Sequence, residues 1–310
     1  MSSSEEITNR YLEICVGASI VILSFVFCIL YVPIVIIFLT DKEYSQSRAY
    51  TIMTWIGITD ILQLIIHLYS GILVINDIDV TKDMINKITG AVLTGLWDCM
   101  LMLMLFLNVN RVIEILFSRY SSYTVTTYIY RFCYLLCFLM FLACCILKLL
   151  PRNNYIFITQ QLYWGPLIDD NEVATVMLYV GNYLVLLVVI CSLLTYSAIF
   201  IYIALKTQSK LTKVERRLTI QISLLLLYFL FTYVYWTYIM SFFPSNYISH
   251  SVSLLIWIVM NGIHPIIYLV FNKRLRKSFL IFFRQLMSLQ NPRKPNQWTT
   301  TISRQLHSSH

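Results

Sequence analysis

The chain has 310 residues, of which 58% are apolar or aromatic and only 12% charged, against roughly 45–50% and about 25% in soluble domains. So little charge cannot keep a surface dissolved, which excludes a soluble enzyme, a disordered chain and a collagen-like rod, and makes lipid the solvent. The 23 basic residues exceed the 15 acidic ones by eight, and the placement of that surplus, worked out below, argues against nucleic acid as the partner.

Hydrocarbon about 30 Å thick takes about 20 apolar residues to cross, and seven runs qualify: 12–39, 49–75, 88–113, 132–150, 173–205, 218–243 and 250–271. Residues 1–11 form a short polar segment ahead of the first run. That run is far longer than the about 7–15 apolar residues of a signal peptide, and its leader MSSSEEITNR is not basic, so an uncleaved span is expected. The second span places Asp60, Gln63 and His67 at i, i+3 and i+7, one stripe of a helix. Polar groups in a span face the bundle interior. On the third, Trp97, Leu101, Met104, Asn108 and Arg111 share a face. Asp98 precedes Arg111 by thirteen residues, roughly 20 Å of helix rise, at a depth suited to a ligand. Two readings of it stand open: a ligand counter-ion, or an internal pair with His67 or Asn182. Arg111, followed by Glu114, is either an anchor at the membrane boundary or a latch with a partner such as Glu215. After the fourth span, the loop 151–172 carries Tyr155, Phe157, Tyr163, Trp164, Asp169 and Asp170, a candidate lid. The sixth span adds Tyr228, Tyr233, Tyr235, Trp236 and Tyr238, aromatic surface with polar handles. The seventh carries Asn261 and His264 beside Pro265, which frees a backbone carbonyl. Asp60, Asn261 and His264 are expected to meet as a buried polar cluster, either a static clamp or a switch able to hold a cation.

Beyond the seventh span, 273–286 sets Leu275, Phe279, Phe282, Phe283 and Leu286 on one side of a basic helix, the pattern of a helix lying in the membrane interface. Residues 288–310 are polar and expected to be a disordered tail, which divides the chain into 1–11, a helical domain 12–287 and the tail. With the N-terminus outside, 18 of the 23 Lys and Arg fall inside; the outer ones are Arg10, Lys82, Lys87, Lys148 and Arg152. Positive charge marks the inner face, so the N-terminus is expected to be extracellular and the C-terminus cytoplasmic, against the anionic lipids of the inner leaflet. The eight cysteines lie in or at the edges of spans, as packed thiols. No cofactor or metal is called for. Asp60 and Asp98 lack the motif context of an intramembrane enzyme, and the last span has no Lys for a retinal Schiff base. A transporter, or another non-enzymatic seven-helix protein, is the competing class; the first and last three spans share no motif of the kind repeated transporter halves would show.

Seven spans with an outside N-terminus, Arg111 closing the third, and His264-Pro265-Ile266-Ile267-Tyr268 before a basic amphipathic helix resemble a G-protein-coupled receptor. More narrowly the chain resembles the nematode serpentine chemoreceptors of class T. The segments AYTIMTWIGITDILQL, TGAVLTGLWDCMLMLMLFLNVNRVIEI, IQISLL, YVYWTYIMSFFPS and WIVMNGIHPIIYLVFNKRLRKS carry that likeness over most of 45–285. The resemblance implies a plasma-membrane receptor that binds a small ligand within the bundle, with Asp98, Trp97, His67, Asn182 and Trp236 as candidate contacts. It implies switching through Asp60, Asn261, His264, Pro265, Tyr268, Arg111 and Glu215, and docking of a heterotrimeric G protein in a cleft rimmed by Arg111, Lys213, Arg216, Arg217 and Arg274. Departures from the wider rhodopsin-like pattern imply a divergent activation geometry. Asn110 stands where an acid usually precedes the Arg, His264 replaces an Asn, Trp236 has no Pro two residues on, and no Cys marks the entrance to the third span.

Overall fold

Hydrocarbon offers backbone amides no partner, so each long apolar run closes its hydrogen bonds within a helix. The computed structural model describes residues 3–115, 123–150, 153–166, 172–205, 213–244 and 246–289. In chain order the elements are α1 (Ser3–Thr40), a single-turn α2 (Lys42–Ser45), α3 (Arg48–Asn76), α4 (Met84–Ile115) and α5 (Tyr123–Leu149). There follow β1 (Tyr155–Ile158), β2 (Tyr163–Pro166), α6 (Glu172–Leu205), α7 (Lys213–Val234), α8 (Tyr247–Phe271) and α9 (Lys273–Leu289). Seven of these helices, α1 and α3 to α8, are long and apolar enough to cross a membrane. The helical bundle with a trailing α9 is as the sequence led us to expect. What differs is the lid loop, where β1 and β2 pair antiparallel in the register Tyr155↔Pro166 to Ile158↔Tyr163. The polar stretch ahead of the first span also differs, being helical from Ser3. Residues 290–310, with most of the expected tail, and Asp169 and Asp170 of the loop lie outside the described residues.

Local chemistry fixes where helices stop. Asp77 closes α3 in the left-handed region (φ 55°), while the Ile78 amide reaches back to the Leu73 carbonyl at 3.1 Å and the Asp77 amide to Val74 at 3.3 Å. That is a Schellman-type cap with an Asp in the position usually taken by Gly. Arg10 of α1 also donates to two carbonyls there, Val74 at 3.2 Å and Ile75 at 2.8 Å. Asn246 and Ser249 form a reciprocal capping box at the start of α8. Between α8 and α9, the Asn272 side chain accepts from the Leu275 amide at 3.1 Å, and Arg276 donates to the Leu269 carbonyl at 2.7 Å. One asparagine thus starts α9 while one arginine finishes α8.

The interior divides into two apolar clusters. One, near the hairpin, gathers Ile20, Leu64, Leu93, Phe157, Leu162, Trp164 and Leu254. The other, toward α9, gathers Tyr31, Phe38, Tyr44, Tyr50, Phe106, Tyr268 and Leu275. Small residues allow the closest helix approach: an added Cβ at Gly17 of α1 would lie 3.1 Å from the Gly71 carbonyl of α3, and one at Gly71 would lie 3.0 Å from that of Gly17. Facing outward, Ile22, Phe25, Ile65, Phe132, Phe138, Leu194 and Leu227 are exposed. In water such a belt would aggregate; in a bilayer it meets the acyl chains.

Candidate functional site

At the hairpin end the bundle holds a partly open cavity of about 440 Å³, within the range typical of small-molecule sites. Trp97 of α4, Trp236 following α7 and Trp257 of α8 all line it. The rings stand edge to face, at 5.7 Å for Trp97–Trp236, 5.4 Å for Trp97–Trp257 and 6.3 Å for Trp236–Trp257. The helix carrying Trp236 changes character there: Tyr235–Ile239 form one π-helical turn. Such a bulge inserts an extra residue and often marks a functional site. Its indole donates to Ser253 Oγ of α8 at 2.8 Å, tying the bulge to the neighbouring span.

Asp98 and Lys148 bring charge to the same cavity, on α4 and α5, with Asn182 of α6 also lining it. The internal partners expected for Asp98 were His67 or Asn182. The structure instead gives it the Cys144 thiol, one turn before Lys148, with Lys148 in Coulomb range. Lys148 is buried and lies 5.6 Å from the centre of the Tyr155 ring. His67 does not line the cavity. It packs edge to face on Trp257 at 5.2 Å, and Gln63 Oε1 accepts from the Trp257 indole at 3.2 Å. The polar stripe of α3 therefore supports a cavity wall from behind. Trp257 and Lys148 are cavity residues that the sequence does not single out. The signal for Trp257 was its place on one face of the last span with Asn261, His264 and Tyr268; for Lys148 it was an ionisable residue among apolar neighbours.

The hairpin supplies the roof, through Tyr155, Tyr163 and Trp164. Burial raises the Tyr155 and Tyr163 phenols above their usual value, the former also through Tyr163 and Asp98, so both remain neutral hydrogen-bonding groups at physiological pH. The roof is held by one residue that sequence reasoning missed, Asn86 of α4. Its amide donates to the Val80 and Phe157 carbonyls, each at 3.0 Å, and its carbonyl oxygen accepts from the Phe157 amide at 3.0 Å. A side-chain amide thus pairs with the outer edge of β1 as another strand would. Gly90, one turn on, lies against the Tyr155 backbone so closely that any Cβ would collide with its carbonyl. The eight cysteines are free, and this clamp does the work of a covalent tether.

Midway along the bundle, His264 Nδ1 lies 2.5 Å from Asp60 Oδ2, both residues buried. The Tyr31 hydroxyl donates to the same carboxylate oxygen at 2.9 Å and also meets Tyr268. Tyr268 stacks on His264, with ring centroids 6.2 Å apart and planes 10° from parallel. The expected cluster of Asp60, Asn261 and His264 is corrected in one member: neither polar atom of the Asn261 side chain has a hydrogen-bond partner, and Tyr31 of α1 takes that place. Tyr31 reaches Asp60 from the neighbouring helix, α1. Pro265 is buried next to His264.

At the opposite end from the cavity, Arg111 is fully buried, which removes the boundary-anchor reading. Its guanidinium lies 3.4 Å from Glu114, one turn on, and donates to Thr219 Oγ1 of α7 at 3.3 Å. The acid missing at position 110 is thus supplied from position 114. Asn110 donates to Glu114 Oε1 at 3.0 Å and to the Tyr130 hydroxyl of α5, whose ring carries the Arg48 guanidinium 4.8 Å above it. The side chains of Lys213, Glu215, Arg216 and Arg217 fall outside the described residues. Arg274 of α9 is half exposed and forms ion pairs with Asp41, at 3.2 Å, and Glu43.

A family model described as serpentine type 7TM GPCR chemoreceptor Srt matches residues 2–291. Among solved structures, the crystal structure of squid rhodopsin is similar with a TM-score of 0.69, over 97% of this chain and 93% of that one, at 12% identity. At that identity the likeness is one of fold. No curated protein matches the chain.

Proposed function

The chain belongs to the Srt family of serpentine seven-transmembrane chemoreceptors, a class of receptors and not of enzymes, and from that premise we propose that it binds a small ligand in the tryptophan-walled cavity and activates a heterotrimeric G protein. In this reading it lies in the plasma membrane with the hairpin outside and α9 at the cytoplasmic face, the orientation the basic residues favour. One observation carries the proposal: a single helix, α4, presents Trp97 and Asp98 to the cavity and a fully buried Arg111 to the other end.

A ligand can shift the protein only by binding one conformation better than another. Trp236 is the group placed to read that difference, since it lines the cavity from the π turn that continues α7. Repacking there tilts α7, and at its far end α7 is joined to α4 by the Arg111–Thr219 hydrogen bond. Release of Thr219 frees the inner end of α7 and opens a cleft beside Arg111, Lys213, Arg216, Arg217 and Arg274. An apolar cleft with a basic rim suits the terminal helix of a G protein. Asp60, His264, Tyr31 and Tyr268 tie α1, α3 and α8 together between the two ends, so the moving parts swing against a fixed frame.

A screen of small molecules on cells with a G-protein readout tests this, with Arg111→Ala as the control. The proposal expects a ligand response that Arg111→Ala abolishes while surface expression persists. An unaltered response in Arg111→Ala would remove the latch from the scheme. Ligand-driven flux into vesicles without nucleotide exchange would instead favour a transporter.

A further inference from the structure

The cavity holds two opposite charges that do not touch. Asp98 interacts with the Cys144 thiol, and Lys148 lies against the Tyr155 ring; each is in Coulomb range of the other without a direct ion pair. Among the described residues lining the cavity the remaining basic side chain is His250, whose Nδ1 donates to the Gln161 carbonyl at 3.2 Å and whose ring lies tilted against Tyr163 at 4.9 Å. Both charged groups sit toward α4 and α5, while Trp236 and Trp257 form the wall supplied by α7 and α8. The sum over the pair is zero, and it stays zero if a proton passes from Lys148 to Asp98. A ligand with a net charge therefore leaves one unit uncompensated in a wall of tryptophans, and a buried charge without a partner is strongly disfavoured. A head group that both donates and accepts satisfies Asp98 and Lys148 at once.

We infer that the cavity selects molecules of zero net charge, carrying one donor–acceptor head between Asp98 and Lys148 and a flat apolar body on the tryptophans, in preference to amines or acids of the same shape. This rests on the receptor reading of the cavity and sharpens it, since Asp98 then ceases to be a counter-ion for a cationic ligand.

The test uses the full chain in lipid nanodiscs and three probes of one shape: 2-phenylethanol, 2-phenylethylamine and phenylacetate, titrated by ligand-observed NMR against empty nanodiscs. The expected result is saturable binding of the alcohol at least about tenfold tighter than of either ion, a floor set well below the full loss for one uncompensated buried charge because the cavity is partly open. Asp98→Asn should turn the preference toward phenylacetate, Lys148→Met toward phenylethylamine, and the double substitution should return it to the alcohol. Preference of the unaltered chain for the amine, or no saturable binding of any probe, overturns the inference without recourse to a variant. A ranking that neither substitution moves overturns it as well, and assigns the pair to holding α4 on α5. Basal nucleotide exchange measured on the same samples separates the two levels. Exchange with the wrong ranking sinks only this inference, and the right ranking without exchange sinks the G-protein reading.

Discussion

Replacing Asn86 by Leu should release the roof of the cavity while the bundle below stays folded. The substitution keeps the approximate volume and removes one acceptor and both donor hydrogens. Two buried backbone groups then lose their partner, the Phe157 carbonyl and the Phe157 amide, each now held at 3.0 Å, while the Val80 carbonyl keeps the Asp83 amide at 3.0 Å. An unsatisfied buried polar group costs about 1–3 kcal/mol, so even the low end for two groups is about 2 kcal/mol. At 1.4 kcal/mol per tenfold, the opening equilibrium of the hairpin should rise by about 25-fold. Hydrogen–deuterium exchange of full-length protein in nanodiscs reads this directly. The Phe157 amide and its neighbours in 155–166 should lose protection by about that factor, while amides in α3 and α8 should keep theirs. Unchanged protection in Asn86→Leu would refute the reasoning, and would mean that Phe157 and Trp164 hold the roof by packing alone.

Other expectations concern the frame. His264→Ala leaves Asp60 buried with Tyr31 as its remaining strong partner, and breaking such a pair costs about 3–5 kcal/mol. Thermal unfolding should show a large fall, partly restored by His264→Asn; an unchanged midpoint would remove the pair from the stabilising frame. Gly262→Ala would drive a Cβ into the Phe27 ring of α1, an overpacking worth about 1–3 kcal/mol, and Phe27→Val in the same chain should relieve it. If Gly262→Ala is as stable alone as combined, α1 and α8 are not in the contact described. Tyr130→Phe removes the hydroxyl bound by Asn110 and should raise basal nucleotide exchange if α5 restrains the Arg111 end; exchange equal to that of the unaltered chain would dismiss that restraint.

The parts legible in the sequence are those the bilayer dictates. Hydrocarbon thickness sets the length of each run and lipid forbids unpaired amides, so the seven spans and α9 follow from 310 letters with little ambiguity. Asp60 and His264 were legible for the same reason, because ionisable groups there must face inward. What one chain could not announce is the pairing between helices. Cys144 gives no sign in sequence that it faces Asp98 from α5, and Tyr31 reads as one more aromatic in an apolar run. Asn86 reads as a solvated residue near a helix start until β1 lies against it. The strands of the roof are four residues each, too short to show an alternation. The sequence suggests Glu215 as a partner for Arg111, and its side chain falls outside the described residues; the acid seen beside Arg111 is Glu114, one helical turn away.

The central claim is that the cavity controls nucleotide exchange at the far end of α4. It is tested most directly at Gly181, which lines the cavity and where an added Cβ meets nothing within 4 Å. Gly181→Trp adds bulk at this lining position, where the first side-chain atom has open space around it. With any ligand recovered from the screen, the rate of GDP-for-GTP exchange on a purified heterotrimeric G protein is measured for the unaltered chain and for this variant. The account predicts that ligand accelerates exchange by the unaltered chain and has no effect on Gly181→Trp, while the two proteins unfold at the same temperature. Acceleration retained in this variant would place the ligand elsewhere and contradict the account.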